Sequence, residues 1–167
     1  MPTAQLTDRT VLLIEGPEAE HFLQNIVTTD LDRLGRGEAK PGALLSPQGK
    51  ILFDFLIARA GENGFRLDCR AEQADDLARR LMLYRLRARV EISKQDQAVV
   101  LACWQDDSAS SQADSSASQS DSGASETDSG WLADLRFPAG AKVLRRYGGP
   151  AGADAPQPSH TEQSSPR

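Results

Sequence analysis

The sequence is poor in several things at once. Aromatic residues make up 5% of its 167 positions, and it has only two Cys and two His. Cys69 and Cys103 stand far apart, with neither a C-x-x-C pair nor a His-rich segment to complete a zinc site, so both read as ordinary reduced thiols. No run approaches the roughly 20 apolar residues of a membrane span. Met1 to Thr10 also lacks the basic-then-apolar order of a secretion signal, and the expectation is a soluble cytoplasmic protein. Positive charge is not in excess either, with 19 Lys+Arg against 24 Asp+Glu. Six of the acidic residues fall between Gln105 and Gly130, where no basic residue occurs, leaving 18 acidic against 19 basic elsewhere. A nearly neutral body argues against a strongly basic nucleic-acid or membrane-surface protein, although a local Arg cluster can still bind an anion. Gly35-Arg36-Gly37 and Gly148-Gly149 lack the strand-glycine-helix setting of a phosphate cradle, which removes support for nucleotide binding of the P-loop or Rossmann kind.

What is present divides the chain into four pieces. Residues 1–104 carry the regular apolar patterns, and 105–130 hold ten Ser without an apolar residue larger than Ala. Such a segment cannot offset its ordering entropy and is expected to be a disordered insert. Residues 131–147 regain Trp, Leu, Phe, Val and Tyr as a continuation of the domain, and 148–167 read as a disordered tail. Within the first piece, Thr10 to Ile14 is a strand stopped by Gly16-Pro17. A helix follows from Pro17 to Val27, with Ala19, Phe22, Leu23, Ile26 and Val27 as its buried stripe. Ala39 to Leu45, Lys50 to Ala60 and Phe65 to Arg70 form a three-strand meander around Ser46-Pro47-Gln48-Gly49 and Gly61-Glu62-Asn63-Gly64. Glu72 to Leu86 is a second helix, its acids early and its arginines late, as the helix dipole prefers. Ala88 to Ser93 and Ala98 to Trp104 complete a β-α-β-β-β-α-β-β order. The fold class is α+β, an antiparallel or mixed sheet with helices on one face.

Three groups of residues have chemistry worth weighing. Thr28, Thr29 and Asp30 follow the first helix and read chemically as its C-terminal cap and turn. Asp54 is a lone carboxylate between Leu52 and Leu56 on one face of its strand. It is either an ordinary exposed edge residue or a functional acid, because burying it unpaired would be costly. Arg79, Arg80, Arg85, Arg87 and Arg89 close the second helix. Arg79 and Arg80 read as a solvated helix end, whereas Arg87 and Arg89 share one face of the next strand and could reach a single anion. His21 has no acidic or thiol partner in a nucleophile arrangement and reads as structural.

Three segments, in order, resemble the folate-binding YgfZ family, a relative of the glycine-cleavage T-protein aminomethyltransferase. They are Leu23-Gln24-Asn25-Ile26-Val27-Thr28-Thr29-Asp30, Gly42-Ala43-Leu44-Leu45-Ser46-Pro47-Gln48-Gly49-Lys50-Ile51-Leu52-Phe53-Asp54, and Tyr84-Arg85-Leu86-Arg87-Ala88-Arg89-Val90. The resemblance covers about residues 5 to 104, with Trp131 to Arg145 as a weaker continuation. It implies the N-terminal part of the GcvT/YgfZ-like fold and a bound tetrahydrofolate. The implied role is non-catalytic support of iron-sulfur cluster assembly or repair and of tRNA modification, with partners such as a tRNA methylthiotransferase and no direct contact with membrane or nucleic acid. It also implies folate contacts from Thr28, Thr29 and Asp30, from Asp54 on the pterin, and from Arg87 and Arg89 on the acidic tail, with no catalytic residue and no metal ligand. Aminomethyltransferases carry Asp-Asp where this chain has Phe53-Asp54, which ranks one-carbon transfer second. The family's Lys-Gly-Cys-x-x-Gly-Gln-Glu segment does not occur, so the chain is expected to be the truncated N-terminal half of such a protein. A rival of another class is an RNA-recognition sheet, since Gly49 to Phe55 echoes its aromatic strand. The nearly neutral body favours core packing for Phe53 and Phe55 instead.

Overall fold

The computed structural model describes residues 2–96, 98–105 and 130–148. The disorder expected of 105–130 and 148–167 falls almost wholly on positions outside the described residues. Gly148 is an exception, because it ends a strand and pairs with Val99.

Among the described residues, nine strands form one mixed sheet. They are β1 (Thr3–Gln5), β2 (Arg9–Glu15), β3 (Glu38–Leu45), β4 (Ile51–Ala60), β5 (Gly64–Arg70), β6 (Glu91–Gln95), β7 (Val99–Cys103), β8 (Trp131–Asp134) and β9 (Leu144–Gly148). The helices are α1 (Ala19–Gln24) and α2 (Ala74–Arg85). Sheet order is β1-β7-β9-β8-β3-β4-β5-β2-β6, with the meander β3-β4-β5 antiparallel at its centre and β3 parallel to β8.

Period-2 alternation sorts the side chains. Leu12 and Ile14 of β2, Phe55 and Ile57 of β4, and Phe65, Leu67 and Cys69 of β5 share one face, and both helices cover it with Phe22, Leu23, Leu77 and Leu81. Each such side chain contributes about 1.5–3 kcal/mol by leaving water. The opposite face of β4, at Leu56 and Ala58, is covered by Ala39, Leu132 and Tyr147. Tyr147 belongs to β9, three strands away in the sheet, so the far half of the sheet curls back over its own centre. The expected arrangement of helices on one face therefore holds, and the second face is covered by sheet over Leu56 and Ala58.

Several boundaries differ from the sequence reading. The first helix stops at Gln24 rather than Val27, because Val27 forms a bridge with Leu44 and Thr28 hydrogen-bonds Ala43. Those β-branched residues lose little by leaving a helix. The strand expected from Ala88 starts at Glu91 instead. Leu86, at φ 45°, ends α2, and residues 87–90 form a connection. Arg87 and Arg89 therefore do not share a strand face. At the other end of that connection, a Cβ on Gly16 would run into the Arg89 carbonyl and lie 3.2 Å from the Val90 Cα, which fixes glycine between β2 and α1.

Both cysteines are free and buried. Burial pushes the Cys69 thiol up to about 11, so it stays protonated at neutral pH. Maleimide at pH 8 is expected to label Cys69 only after unfolding, and mass spectrometry of the native chain should show this position unmodified. Rapid native labelling there would contradict its place in the core.

Candidate functional site

The cover over β4 stops between Leu56, which is buried, and Asp54, which is exposed. Beyond that point the same face shows half-buried Leu52 and then open surface. Asp54 lies opposite Ala43 in the β3–β4 ladder. On the other side of Ala43 runs Thr28, whose N–H donates to the Ala43 carbonyl at 3.1 Å and whose Oγ1 accepts from the Ala43 N–H at 2.9 Å. The structure thus sets Thr28, Ala43 and Asp54 side by side across three chain segments. Asp54 is exposed and makes no hydrogen bond or ion pair with another described residue, which leaves its carboxylate open to solvent or to a ligand.

Thr29 is buried, and its hydroxyl donates to the Pro41 carbonyl at 2.8 Å. This seat depends on Gly42, where a Cβ would strike Thr29 Oγ1 and come within 2.9 Å of the Phe55 ring. Asp30 is exposed and accepts from Gln24 Nε2 and from the Asp32 N–H, each at 3.2 Å, with Arg33 Nε 3.5 Å away. Gln24 Oε1 in turn accepts from the Leu31 N–H at 2.8 Å. Thr28 and Thr29 are therefore anchors to β3 rather than a cap on α1, and Asp30 is a turn residue.

Arg89 donates to Glu18 Oε2 from its backbone N–H at 2.7 Å and from Nε at 3.2 Å. The backbone bond first, and the side-chain bond second, hold the Glu18 carboxyl below its ordinary range. Glu15, Gly16, Arg89, Val90 and Glu91 line a shallow cavity of about 340 Å³, whose two added acids suit an anion poorly. Arg87 is exposed and makes no ion pair among the described residues. Both arginines lie beside β6 at one edge of the sheet, with β5 and β2 between them and β4. The structure does not bring them to Asp54.

A second polar cluster, not anticipated from sequence, lies under the curl of the sheet. Asp68 is fully buried on β5. It accepts from Arg9 Nε at 2.7 Å and from the Tyr147 hydroxyl at 3.3 Å, and Arg145 Nη1 is 3.7 Å away. Arg145 Nε donates to Asp134 at 3.0 Å, and Arg136 donates to both Asp134 oxygens at 2.9 and 2.6 Å. Burial alone would raise the Asp134 carboxyl, but the bonds from Arg136 and Arg145 outweigh it and hold it below the ordinary range. Burial, then the nearby Asp68 charge, pushes the Tyr147 phenol well above its usual value. Arg145 Nη1 has no hydrogen-bond partner among the described residues. The ion pairs of the cluster work as a staple between β9 and β5. Alternation in Phe65-Arg66-Leu67-Asp68-Cys69-Arg70 identifies Asp68 only as facing away from the helices, so no single-sequence signal separates it from a solvated residue. Among the described residues there is no group of three or more His, Cys, Asp or Glu able to hold a metal ion, and no helix long and apolar enough to cross a membrane.

The sequence pattern of the GCVT N-terminal domain matches residues 5–108. The chain belongs to that family. Curated relatives of this GCVT-type chain carry two kinds of name. The mitochondrial iron-sulfur cluster assembly factor IBA57 homolog of Pyricularia oryzae is 32% identical over 113 residues, covering 62% of this chain and 28% of that protein. The human mitochondrial iron-sulfur cluster assembly factor IBA57 is 30% identical over 110 residues, or 59% and 31% of the two lengths. An aminomethyltransferase of Chlorobium luteolum is 40% identical over 52 residues, or 31% and 14%. Among solved structures, the glycine cleavage system aminomethyltransferase T of Bartonella henselae superposes with a TM-score of 0.55 at 24% identity, over 60% of this chain and 27% of that one. That likeness shows the fold. The GCVT-type chain spans under a third of the length of each of these proteins.

Proposed function

We propose that this chain provides a tetrahydrofolate-binding surface that serves iron-sulfur cluster assembly without catalysing a reaction, in the manner of the YgfZ-type proteins it resembles. The observation that carries the reading is the unpaired, exposed Asp54 carboxylate on a half-apolar face beside Thr28 and Ala43. A pterin has adjacent donors that suit one carboxylate, together with a flat ring that suits an apolar wall. Family membership supports the reading, as do relatives named iron-sulfur cluster assembly factors. A role without catalysis is supported by the single carboxylate, since Phe53 stands where the aminomethyltransferases carry a second acid. Support of a tRNA-modifying iron-sulfur enzyme belongs to the same reading. The cytoplasmic expectation stands beside relatives whose names place them in mitochondria. Arg87 and Arg89 are left out of the proposed site, because β5 and β2 separate them from β4 and Arg89 is engaged by Glu18.

Titration with tetrahydrofolate under anaerobic conditions tests the reading. Asp54→Asn is expected to weaken binding by about 1.5–3 kcal/mol, the range for a hydrogen bond to a charged group. Unchanged affinity in that variant would remove Asp54 from the site. Turnover of an aminomethyl donor in the presence of tetrahydrofolate would instead favour the transferase reading that the aminomethyltransferase relatives raise.

A further inference from the structure

The β4–β5 ladder runs from Ala60 opposite Gly64 to Leu56 opposite Asp68 and ends there. Beyond that point β4 continues along β3 alone, down to Ile51, while β5 continues along β2 through Cys69 and Arg70. Side chains two residues apart in a strand share a face. The face that carries Leu56 and Asp68 therefore presents Asp54 on one bank of this opening and Arg70 on the other, and both are exposed. Burial comes first in raising the Cys69 thiol, and the Asp54 charge adds to it, so Asp54 is within electrostatic reach of the end of β5. Asp54 and Arg70 nevertheless do not pair with each other. Arg70 reaches Glu72 at 4.0 Å, between side chains that are 56% and 75% exposed, a contact that holds the guanidinium weakly. Arg9, opposite Arg70 in the β2–β5 ladder, is by contrast engaged by the Asp68 carboxylate and carbonyl, each at 2.7 Å. Like charges directly opposite each other are unfavourable, and an acceptor taken up by Arg70 relieves the pair.

We infer that Arg70 donates to the 4-oxo group of a pterin whose N3–H and 2-amino group face Asp54, which makes Arg70 the residue that selects 4-oxo over 4-amino pterins. The inference rests on the folate reading above and adds a second side chain to it. N3–H and the 4-oxo group belong to neighbouring ring atoms, so one planar edge offers donors to a carboxylate and an acceptor to a cation beside it. The opening starts at the roughly 4.8 Å spacing of paired strands, a width that suits two groups on one ring edge. The glutamyl carboxylates stand at the far end of the aminobenzoyl spacer, too distant to share the opening with a pterin held at Asp54. A 4-amino pterin turns a donor toward the guanidinium, which itself carries only donors.

Anaerobic titration of the full chain with tetrahydrofolate and with tetrahydroaminopterin, its counterpart bearing an amino group at C4, tests the assignment. The unmodified chain is expected to prefer the 4-oxo ligand, and Arg70→Ala to cut that preference at least roughly tenfold, the lower end for a hydrogen bond from a charged donor. Arg70→Lys keeps a cationic donor and should retain part of the preference. Arg70→Met removes the donors but keeps an apolar stem, and it decides the matter should the alanine variant lose its circular dichroism spectrum. Arg87→Ala, a change of the same charge outside the opening, should leave the preference as it was. An unchanged preference in a folded Arg70 variant, or an equal loss for both ligands, overturns the inference. The folate reading survives either result provided that Asp54→Asn still weakens tetrahydrofolate. Failure of the unmodified chain to bind tetrahydrofolate would overturn both, and Asp54→Asn without effect would remove the carboxylate bank and the paired arrangement with it.

Discussion

Replacing Asp68 by alanine is expected to destabilise the fold by about 3–5 kcal/mol, because it leaves a guanidinium charge buried without its counter-ion. Asp68 sits at zero exposure between Arg9 and Arg145, whose side chains are only 11% and 7% exposed. Removing the carboxylate also strips the Tyr147 hydroxyl of its acceptor. The loss falls on the contact that holds β9 against β5, so the curled half of the sheet should loosen first. Asp68→Asn keeps the shape and one acceptor oxygen and should cost less. Urea denaturation followed by circular dichroism measures both variants. A loss below about 1 kcal/mol for the alanine variant would mean that the far half of the sheet is held by apolar contacts alone.

Phe55→Ala is expected to cost about 3–5 kcal/mol of stability by opening a cavity under the meander. Phe55 is buried beneath α1 and touches the position of the missing Gly42 side chain, opposite the face that carries Asp54. The same variant separates core packing from the rival reading of this strand as an RNA platform. Phe53 packs against the same core, so neither ring is offered to a base. A thermal melt should fall steeply, while affinity for single-stranded RNA, measured by fluorescence anisotropy, should be negligible before and after the change. A stable variant that has lost tight RNA binding would reverse the assignment.

How far the fold was legible follows from which signals are local. The meander is readable because β4 is a long apolar run, β5 alternates, and their turns carry Pro-Gln-Gly and Asn-Gly. Helix α2 was readable from the spacing of Ala74, Leu77 and Leu81 together with its early acids. The first helix was overextended because Ile26 and Val27 do pack on the core, though from a bridge to β3 rather than from a helical turn. Strand β1 was missed, since Thr3–Gln5 has no apolar run and is held by pairing with β7. Residues 88–90 read as strand from the sequence because nothing in it announces the positive φ of Leu86. The candidate site was legible as Asp54, a carboxylate interrupting an apolar face, and as the Thr28–Thr29 segment. Their adjacency through Ala43 was not, because it rests on long-range register. The Asp68–Arg145 staple was hidden for the same reason, since its partners come from strands 59 to 79 residues apart.

Tetrahydrofolate is expected to rest on the open end of the β3–β4 face beside Asp54. Hydrogen–deuterium exchange of the full chain, with and without anaerobic tetrahydrofolate, tests it most directly. Ligand is expected to slow exchange in peptides that span residues 27–30, 42–46 and 51–55, and to leave α2 and β6 unchanged. Protection confined to α2 and β6, or no protection at a tetrahydrofolate concentration that saturates binding, would contradict it.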